Sequence, residues 1–414
     1  MNGWREAMEA ALYGPDGFYR TQSPRRHFRT SVHASSLFAE AVARLLREVD
    51  DALGKPAQLD FVDMGAGDGA LAEGVLEALP EQVRRRVLAT AVEVAPRPSR
   101  TVTGLVWTTE PPERVTGLIF ANEWLDNVPL DVVVRTPDGP RLVLVDASGT
   151  ERLGPEPAEA DLAWLARWWP HGDRAEIGRT RDAAWTALVG RLDAGVAVAA
   201  DYAHTAATRR PTLTAYRDGL LTSPTPDGTC DLTAHVALDS AAAAAQTASN
   251  PPAPPARPPT PDRQASAPDC QADSGSVGAP DDAAPGYVSR NGGAVPPGAR
   301  SAGGTAAEAA SRGVAEAGGV PATASPRTPL ATVRTTQRAA LRALGVTGVR
   351  PPRELAVADP RAYLRSLARA GECAELTDPG GLGGFGWLMQ SRGVCLDGFG
   401  EAEPRATAAH GLTG

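Results

Sequence analysis

The sequence predicts an α/β fold in which helices cover both faces of a doubly wound, mainly parallel sheet. Short apolar runs typical of buried strands alternate with longer runs whose apolar residues recur at helical spacing. A glycine-rich turn lies between one such strand and the helix that follows it. Alternation of this kind indicates βαβ units, which place parallel strands side by side.

The elements of the first half follow from capping residues and periodicity. Ser35 or Ser36 can cap a long helix, and Gly54 with Pro56 ends it. Its apolar stripe has 3.6-residue periodicity and consists of Leu37, Phe38, Ala41, Val42, Leu45, Leu46 and Val49. A buried strand is predicted at 59–65 and a helix at 70–79. Further strands are predicted at 87–94, 104–108, 117–121, 142–146 and 196–201.

The composition changes sharply after Ser240. Proline, alanine, glycine and serine dominate 241–330, and no Leu, Ile, Phe or Trp occurs between Ala241 and Val320. A segment with so little apolar surface cannot offset the entropy of ordering, which predicts a disordered insert. Helices near 335–344 and 360–370 and a strand at 384–393 follow. We therefore divide the chain into 1–240, the insert 241–330, and 331–414 as the C-terminal part of the same domain.

Charge and composition exclude several function classes. The net charge is −8, and no basic run is long enough to neutralise a nucleic-acid backbone. No apolar run reaches the length of a membrane span, and the first residues lack the apolar region of a signal peptide, so a cytoplasmic protein is expected. The cysteines are far apart and predict neither a zinc site nor a disulfide framework; they are Cys230, Cys270, Cys373 and Cys395.

The sharpest motif is the glycine-rich turn Asp63-Met64-Gly65-Ala66-Gly67-Asp68-Gly69. Glycines permit a tight turn and let a ligand approach the backbone, while the next helix offers free N–H groups. Dinucleotide-binding turns favour GxGxxG, with three residues from the second glycine to the third. Here Gly69 follows Gly67 by two, and Asp63 precedes Gly65 by two. This D-x-G-x-G-x-G spacing resembles motif I of S-adenosylmethionine (SAM) methyltransferases.

Glu93 stands near the end of the strand that follows this turn. A carboxylate in that place can accept hydrogen bonds from both hydroxyl groups of a ribose. The alternative is a solvated carboxylate at a strand end.

Six short segments carry a family resemblance. They are 11–19 (ALYGPDGFY), 28–31 (FRTS), 120–129 (FANEWLDNVP), 201–204 (DYAH), 214–217 (TAYR) and 231–236 (DLTAHV). In this order they resemble motifs of the MidA-like family, to which the mitochondrial complex I assembly factor methyltransferase belongs. The resemblance covers roughly 10–236 and, more faintly, 333–392. His27, Leu125 and Ala203 depart from the family pattern, as expected of a divergent branch.

The resemblance implies a class I methyltransferase fold with added helical elements, SAM as the cofactor, and a protein arginine as the first candidate acceptor. It also implies that Thr30 and Ser31 close over the amino-acid part of SAM through hydroxyl and backbone bonds. Local capping before the Ser35 helix is the alternative for these two residues.

Asn122 and Glu123 follow a strand at the edge where ligands of doubly wound sheets bind, so both are candidates to face the methyl group. Glu123 is expected to orient a guanidinium, which binds carboxylates through two parallel bonds, with Asp126 or Asp201 assisting. A helix-terminal role for Asp126 and a turn-capping role for Asp201 stay open.

Two other functions remain as alternatives. A SAM-binding or assembly-factor protein without turnover is one, and an NAD-dependent oxidoreductase is the other. No metal-ligand cluster occurs in the sequence. The lone histidines His204 and His235 are interpreted as structural. Trp164, Trp168 and Trp169 are interpreted as packing residues, with a partner-binding patch as the alternative.

Overall fold

The computed structural model describes residues 1–22, 30–97, 102–249 and 328–399. The helices are α1 Trp4–Tyr13, α2 Phe18–Thr21, α3 Ser31–Ala34, α4 Ser36–Ala52, α5 Ala70–Ala78, α6 Glu81–Arg84, α7 Glu159–Trp168, α8 Arg179–Gly190, α9 Leu238–Ser249, α10 Gln337–Ala343, α11 Arg353–Ala358 and α12 Pro360–Leu376. Single 3-10 turns lie at Leu125–Asn127, Ala206–Thr208, Leu382–Gly384 and Asp397–Phe399.

The strands are β1 Asn2–Gly3, β2 Leu59–Met64, β3 Val87–Val92, β4 Leu105–Thr108, β5 Val115–Asn122, β6 Asp131–Thr136, β7 Gly139–Val145, β8 Glu151–Leu153, β9 Arg174–Ile177, β10 Leu192–Asp201, β11 Ala203–His204, β12 Thr214–Arg217, β13 Leu220–Thr222, β14 Asp231–Thr233, β15 Val236–Ala237, β16 Ala331–Thr336 and β17 Gly386–Arg392.

The central sheet has seven strands in the order β16-β17-β10-β5-β2-β3-β4. Strands β2, β3, β4, β5 and β10 run parallel. Strand β17 is antiparallel to both of its neighbours, β10 and β16. The strand order reverses between β2 and β5, which places a crevice at the carboxyl ends of these two strands. The predicted doubly wound α/β fold is confirmed.

Helices cover both faces of this sheet. Helices α4, α5 and α10 contribute buried side chains to one core, and α8 and α9 contribute to the core on the opposite face. Helix α4 buries every residue of the predicted apolar stripe, and the Ser35 hydroxyl accepts a hydrogen bond from the amide of Leu37. The buried valine, leucine and phenylalanine side chains of this stripe each contribute about 1.5–3 kcal/mol to folding.

The predicted strand at 142–146 lies in another sheet, which corrects its assignment to the parallel one. Strand β7 pairs antiparallel with β6 and with β1, and β6 pairs antiparallel with β9. The turn between β6 and β7 is too short for the crossover that parallel strands require. Buried Trp164 and Trp169 pack beside this sheet, and the Trp164 indole donates to Asp182 and Ser240. These two tryptophans are therefore packing residues.

The segments around the predicted insert join the central fold. Helix α9 extends to Ser249, so it includes the start of the 241–330 segment. The predicted disorder of 250–327 lies outside the described residues. Strand β16 precedes α10 where the sequence predicted a helix from residue 335, and it pairs with β17 along its whole length. In the part of the chain that the structure describes, no helix has the length and apolar character of a membrane span.

Candidate functional site

The glycine-rich turn connects β2 to α5 through three left-handed backbone conformations. The angle φ is +71° at Gly65, +58° at Gly67 and +82° at Gly69. A residue with a side chain adopts this region at a cost of about 1–2 kcal/mol, so the turn depends on glycine. The amide of Gly65 donates to the carbonyl oxygen of Val92 over 3.0 Å, which fixes the turn against the end of β3.

The outer two glycines of the turn have different surroundings from the central one. A Cβ atom at Gly69 would lie 2.9 Å from the Trp107 ring, and one at Gly65 would lie 3.0 Å from the Trp124 ring. A Cβ at Gly67 would meet nothing within 4 Å. The backbone of Gly67 is therefore the part of the turn that a ligand can approach.

Glu93 lies directly beside Gly67. One oxygen of its carboxylate accepts a hydrogen bond from the Gly67 amide at 2.7 Å, and the other accepts from the Ala95 amide at 2.8 Å. The amide of Glu93 donates to Thr108 in β4. Three neighbouring strands thus place this carboxylate at the mouth of the glycine turn.

Asp63 supports the turn from inside the protein. Its side chain is buried and accepts a hydrogen bond of 3.2 Å from the amide of Ala72 in the first turn of α5. Burial raises its pKa to about 7, although the bond from Ala72 acts in the opposite direction. Asp63 therefore positions the helix that follows the turn and does not face the open side of Gly67.

Glu123 and Asn122 lie at the end of β5, beside β2. Glu123 has a φ of +51°, which is an unfavourable conformation for glutamate. The hydrogen bond from its backbone amide to the carbonyl oxygen of Ala200 helps to hold this conformation. Its Oε1 accepts from the Asn122 side chain at 2.9 Å and from the Ser31 amide at 3.0 Å. Burial raises the pKa of Glu123 to about 7. Among the described residues, Asn122 Oδ1 is buried without a hydrogen-bond partner.

The segment from Thr30 to Ala34 connects the two halves of the crevice. The Thr30 hydroxyl bonds to His33 Nδ1 at 2.7 Å, and the other ring nitrogen of His33 lies 3.6 Å from Asp68 in the glycine turn. Ser31 is buried, and its hydroxyl is hydrogen-bonded to Gln337. Both hydroxyls therefore have partners inside the protein, while the Ser31 amide holds Glu123.

Asp126 and Asp201 form a buried pair beyond Glu123. The two oxygens of Asp201 accept from the amides of Leu125 and Asp126, so Asp201 caps the 3-10 turn. Burial raises the pKa of both carboxyl groups, and the charge of Asp126 raises the pKa of Asp201 further. Thr233 donates to Asp126 Oδ2 at 2.8 Å, while Asp126 Oδ1 has no hydrogen-bond partner among the described residues.

The charge of Arg181 acts to lower the pKa of Asp126, against the larger effect of burial, but the N–H groups of Arg181 donate to the backbone. They donate to the carbonyl oxygens of four residues, which are Asp126, Val128, Ala234 and His235. Burial lowers the pKa of Arg181, and the neighbouring carboxylates act in the opposite direction. Arg181 therefore connects the 3-10 turn to the segment after β14.

Sequence reasoning missed Asp231 and the tyrosines around it. Asp231 is buried, and its Oδ1 accepts from the Tyr19 hydroxyl at 2.8 Å and from the Asn127 amide at 3.0 Å. Burial, followed by the charge of Asp126, raises its pKa to about 7. The Tyr13 and Tyr19 rings stack at 5.5 Å. The signals were available, because Asp231 begins the 231–236 motif and both tyrosines belong to the 11–19 motif.

The histidines and cysteines have structural surroundings. His204 Nδ1 lies 2.9 Å from the guanidinium of Arg209, and burial lowers the pKa of His204 to about 3. The ring of His235 stacks on that of Tyr202. Three cysteines are free thiols, namely Cys230, Cys373 and Cys395, and Cys270 lies outside the described residues. No group of three or more His, Cys, Asp or Glu residues suited to a metal ion occurs in the described ranges.

The crevice therefore has two adjoining parts with different chemistry. The first consists of the open backbone of Gly67, the Glu93 carboxylate and Asn122, which suits a ligand with hydroxyl groups and an amine. The second is a group of carboxyl side chains, contributed by Glu123 and by the buried residues Asp126, Asp201 and Asp231, and carboxyl groups suit a cation. Glu123 lies at the boundary of the two parts.

Comparison with known proteins agrees with this architecture. Residues 41–253, more than half of the 414-residue chain, match the model of a family described as "Putative S-adenosyl-L-methionine-dependent methyltransferase". No protein of curated function matches the chain.

Two crystal structures of COG1565 superfamily proteins from Burkholderia thailandensis share the fold. One contains S-adenosyl-homocysteine; the match has a TM-score of 0.63 and 20% identity, and it covers 96% of this chain and 90% of that protein. The other is a native structure. This match has a TM-score of 0.62 and 20% identity, and it covers 96% of this chain and 89% of that protein.

Proposed function

The chain belongs to this family of S-adenosyl-L-methionine-dependent methyltransferases, and we propose that it methylates a protein acceptor, with an arginine side chain as the first candidate. We also propose membership of the MidA-like branch, on the six ordered motifs. The observation that carries the reaction is the position of Glu123. It lies one residue beyond β5, between the glycine turn and the group of carboxyl side chains.

The residues of the first part of the crevice fit SAM. Gly67 has an open side, and Glu93 lies against it with one carboxylate oxygen bonded to the Gly67 amide. The unpartnered Oδ1 of Asn122 is an acceptor for an ammonium or hydroxyl donor. Bound SAM supplies a methyl group on a positively charged sulfur. The crystal structure of the Burkholderia protein with S-adenosyl-homocysteine supports this assignment by likeness of fold.

The second part of the crevice would hold the acceptor. Four carboxyl groups lie there, and Arg181 already donates its N–H groups to backbone carbonyls. Of the four, Asp201 has both oxygens bonded to amides, so we assign it to positioning Asp126. Glu123 is the group that would contact the acceptor. A guanidinium held by two parallel hydrogen bonds would present its remaining nitrogen in a fixed direction.

In the proposed reaction the acceptor nitrogen forms a bond to the methyl carbon while the carbon–sulfur bond breaks. The electron pair of that bond stays on sulfur, and S-adenosyl-homocysteine leaves. The methylated nitrogen releases one proton. Because burial brings the pKa of Glu123 to about 7, this carboxylate can accept the proton near neutral pH.

The proposal is tested by incubating the chain with methyl-labelled SAM and undermethylated protein extract, followed by hydrolysis and identification of the labelled amino acid. Labelled methylarginine that disappears with Glu123→Gln supports the proposal. S-adenosyl-homocysteine binding without label in any protein would favour the non-catalytic alternative. Binding of NAD in competition with S-adenosyl-homocysteine would favour the oxidoreductase.

A further inference from the structure

A row of three side chains crosses the small sheet β13-β12-β14 and leaves the acidic part of the crevice. Asp231 of β14 pairs with Tyr216 of β12, and Tyr216 pairs with Leu221 of β13. Residues paired across neighbouring strands lie on the same face of a sheet. Neighbouring strands are about 4.8 Å apart, so Leu221 is about 10 Å from Asp231 along this row.

The polarity and burial change steadily along the row. Asp231 is buried, Tyr216 is partly buried, and Leu221 is 68% exposed. Burial raises the pKa of Tyr216, and the charges of Asp126 and Asp231 raise it further. The row therefore begins at the carboxyl groups of the crevice and ends in an apolar side chain on the surface.

The opposite face of the same sheet is part of the protein core. Leu232 pairs with Ala215, and both are fully buried against the first helices. The core thus holds the sheet in place, so that the outer face has a defined orientation relative to the crevice. The turn between β12 and β13 consists of Asp218 and Gly219, with φ values of +50° and +80°, the combination typical of a tight two-residue hairpin.

Leu220 and Leu221 are similarly exposed but lie on different faces of the hairpin. Leu220 is 72% exposed and pairs with Arg217, so it faces away from the Tyr216 row. Adjacent strand residues point in opposite directions. Only Leu221 therefore continues the row that begins at Asp231.

We propose that the Tyr216–Leu221 face binds an extended segment of the acceptor protein, with an apolar side chain packed on Leu221 while the methylated side chain enters beside Asp231 and Glu123. The inference rests on the proposed function, because it requires a protein acceptor. An extended chain rises about 3.3 Å per residue, so the apolar residue would stand about three positions from the methylated one. A membrane or a nucleic acid would not need this spacing.

The probes are two fluorescent nonapeptides with a central arginine. One peptide has leucine three positions before and three positions after the arginine, and the other has serine at these two positions. All other positions are glycine or serine in both peptides. Fluorescence anisotropy measures their binding to the full chain saturated with S-adenosyl-homocysteine. We expect the wild type to bind the leucine peptide about tenfold more tightly than the serine peptide, because one leucine side chain is buried. Leu221→Ser should abolish this preference. The matched control Leu220→Ser should retain it.

The remaining outcomes each contradict the docking proposal. Equal affinity for the two peptides, absence of binding by both, or loss of the preference in Leu220→Ser as much as in Leu221→Ser would overturn it. Sedimentation that shows a dimer broken by Leu221→Ser would assign the face to a second copy of the chain. Calorimetric titration of S-adenosyl-homocysteine into the same samples reports the cofactor site, and the labelling assay with methyl-labelled SAM reports methyl transfer, so failure of the proposed function is recognised independently of peptide docking.

Discussion

Replacing Glu123 by glutamine removes a charge that the folded chain holds at a cost. Burial raises the pKa of Glu123 from its ordinary value of 4.5 to about 7. Well below pH 4.5 the carboxyl group is protonated in both folded and unfolded chains, and it contributes nothing to the pH dependence of stability. As the pH rises from 4.5 to 7, the unfolded chain releases the proton while the folded chain keeps it, so the folded state progressively loses stability. Between pH 5 and pH 8 this loss amounts to about 2–3 kcal/mol.

Glutamine retains the features that position this side chain. Its amide oxygen can accept the same hydrogen bonds from the Ser31 amide and the Asn122 side chain. In the wild type these bonds to Glu123 are 3.0 and 2.9 Å long. We therefore expect Glu123→Gln to match the wild type in free energy of unfolding at pH 5 and to exceed it by about 2–3 kcal/mol at pH 8. Affinity for S-adenosyl-homocysteine should stay within about threefold, while methyl transfer should fall at least about 100-fold.

Urea unfolding of both chains at the two pH values measures the difference directly, because other titrating groups are common to both. An unfolding free energy that varies with pH identically in the two chains would refute the reasoning about charge burial. Loss of S-adenosyl-homocysteine binding in the variant would show instead that Glu123 belongs to the cofactor part of the crevice.

Two further substitutions test the scaffold. Arg181→Met leaves several buried carbonyl groups without a hydrogen-bond donor. We therefore expect the free energy of unfolding to fall by at least about 3 kcal/mol. A loss below about 1 kcal/mol would contradict the hydrogen bonds of Arg181. Gly69→Ala combines a left-handed backbone with a Cβ 2.9 Å from the Trp107 ring. Thermal unfolding should show a loss of about 2–4 kcal/mol, and a loss no larger than that of Gly67→Ala would contradict the predicted clash.

The parts predicted from sequence are those specified by local patterns. The stripe of α4, its cap at Ser35, and the strand–turn–helix around Gly67 depend on neighbours within a few residues, and the structure has them where the sequence placed them. A strand was predicted at 142–146, but the antiparallel sheet containing β6 and β7 was missed because a local pattern does not state which strands pair. Its pairing with β1 also brings together residues far apart in the chain.

The acidic part of the crevice shows the same limit. Glu123 was identified because it follows a strand at the expected edge of the sheet. Asp231 and Tyr19 approach it from β14 and α2, and no local pattern states that a tyrosine hydroxyl will meet a carboxylate 212 positions later. Asp201 was a candidate catalytic residue. The two hydrogen bonds that it accepts from backbone amides favour the capping alternative that the sequence left open.

The central claim is that the glycine turn holds SAM, and calorimetric titration of S-adenosyl-homocysteine into three chains tests it most directly. Gly67→Ala adds a methyl group on the open side of the turn, whereas Gly54→Ala imposes similar strain after α4, at a φ of +73° with nothing within 4 Å. Both should lose about 1–2 kcal/mol of stability. We predict wild-type affinity in Gly54→Ala and at least about tenfold weaker binding in Gly67→Ala. Equal affinity in all three chains, or no binding to the wild type, would contradict the account.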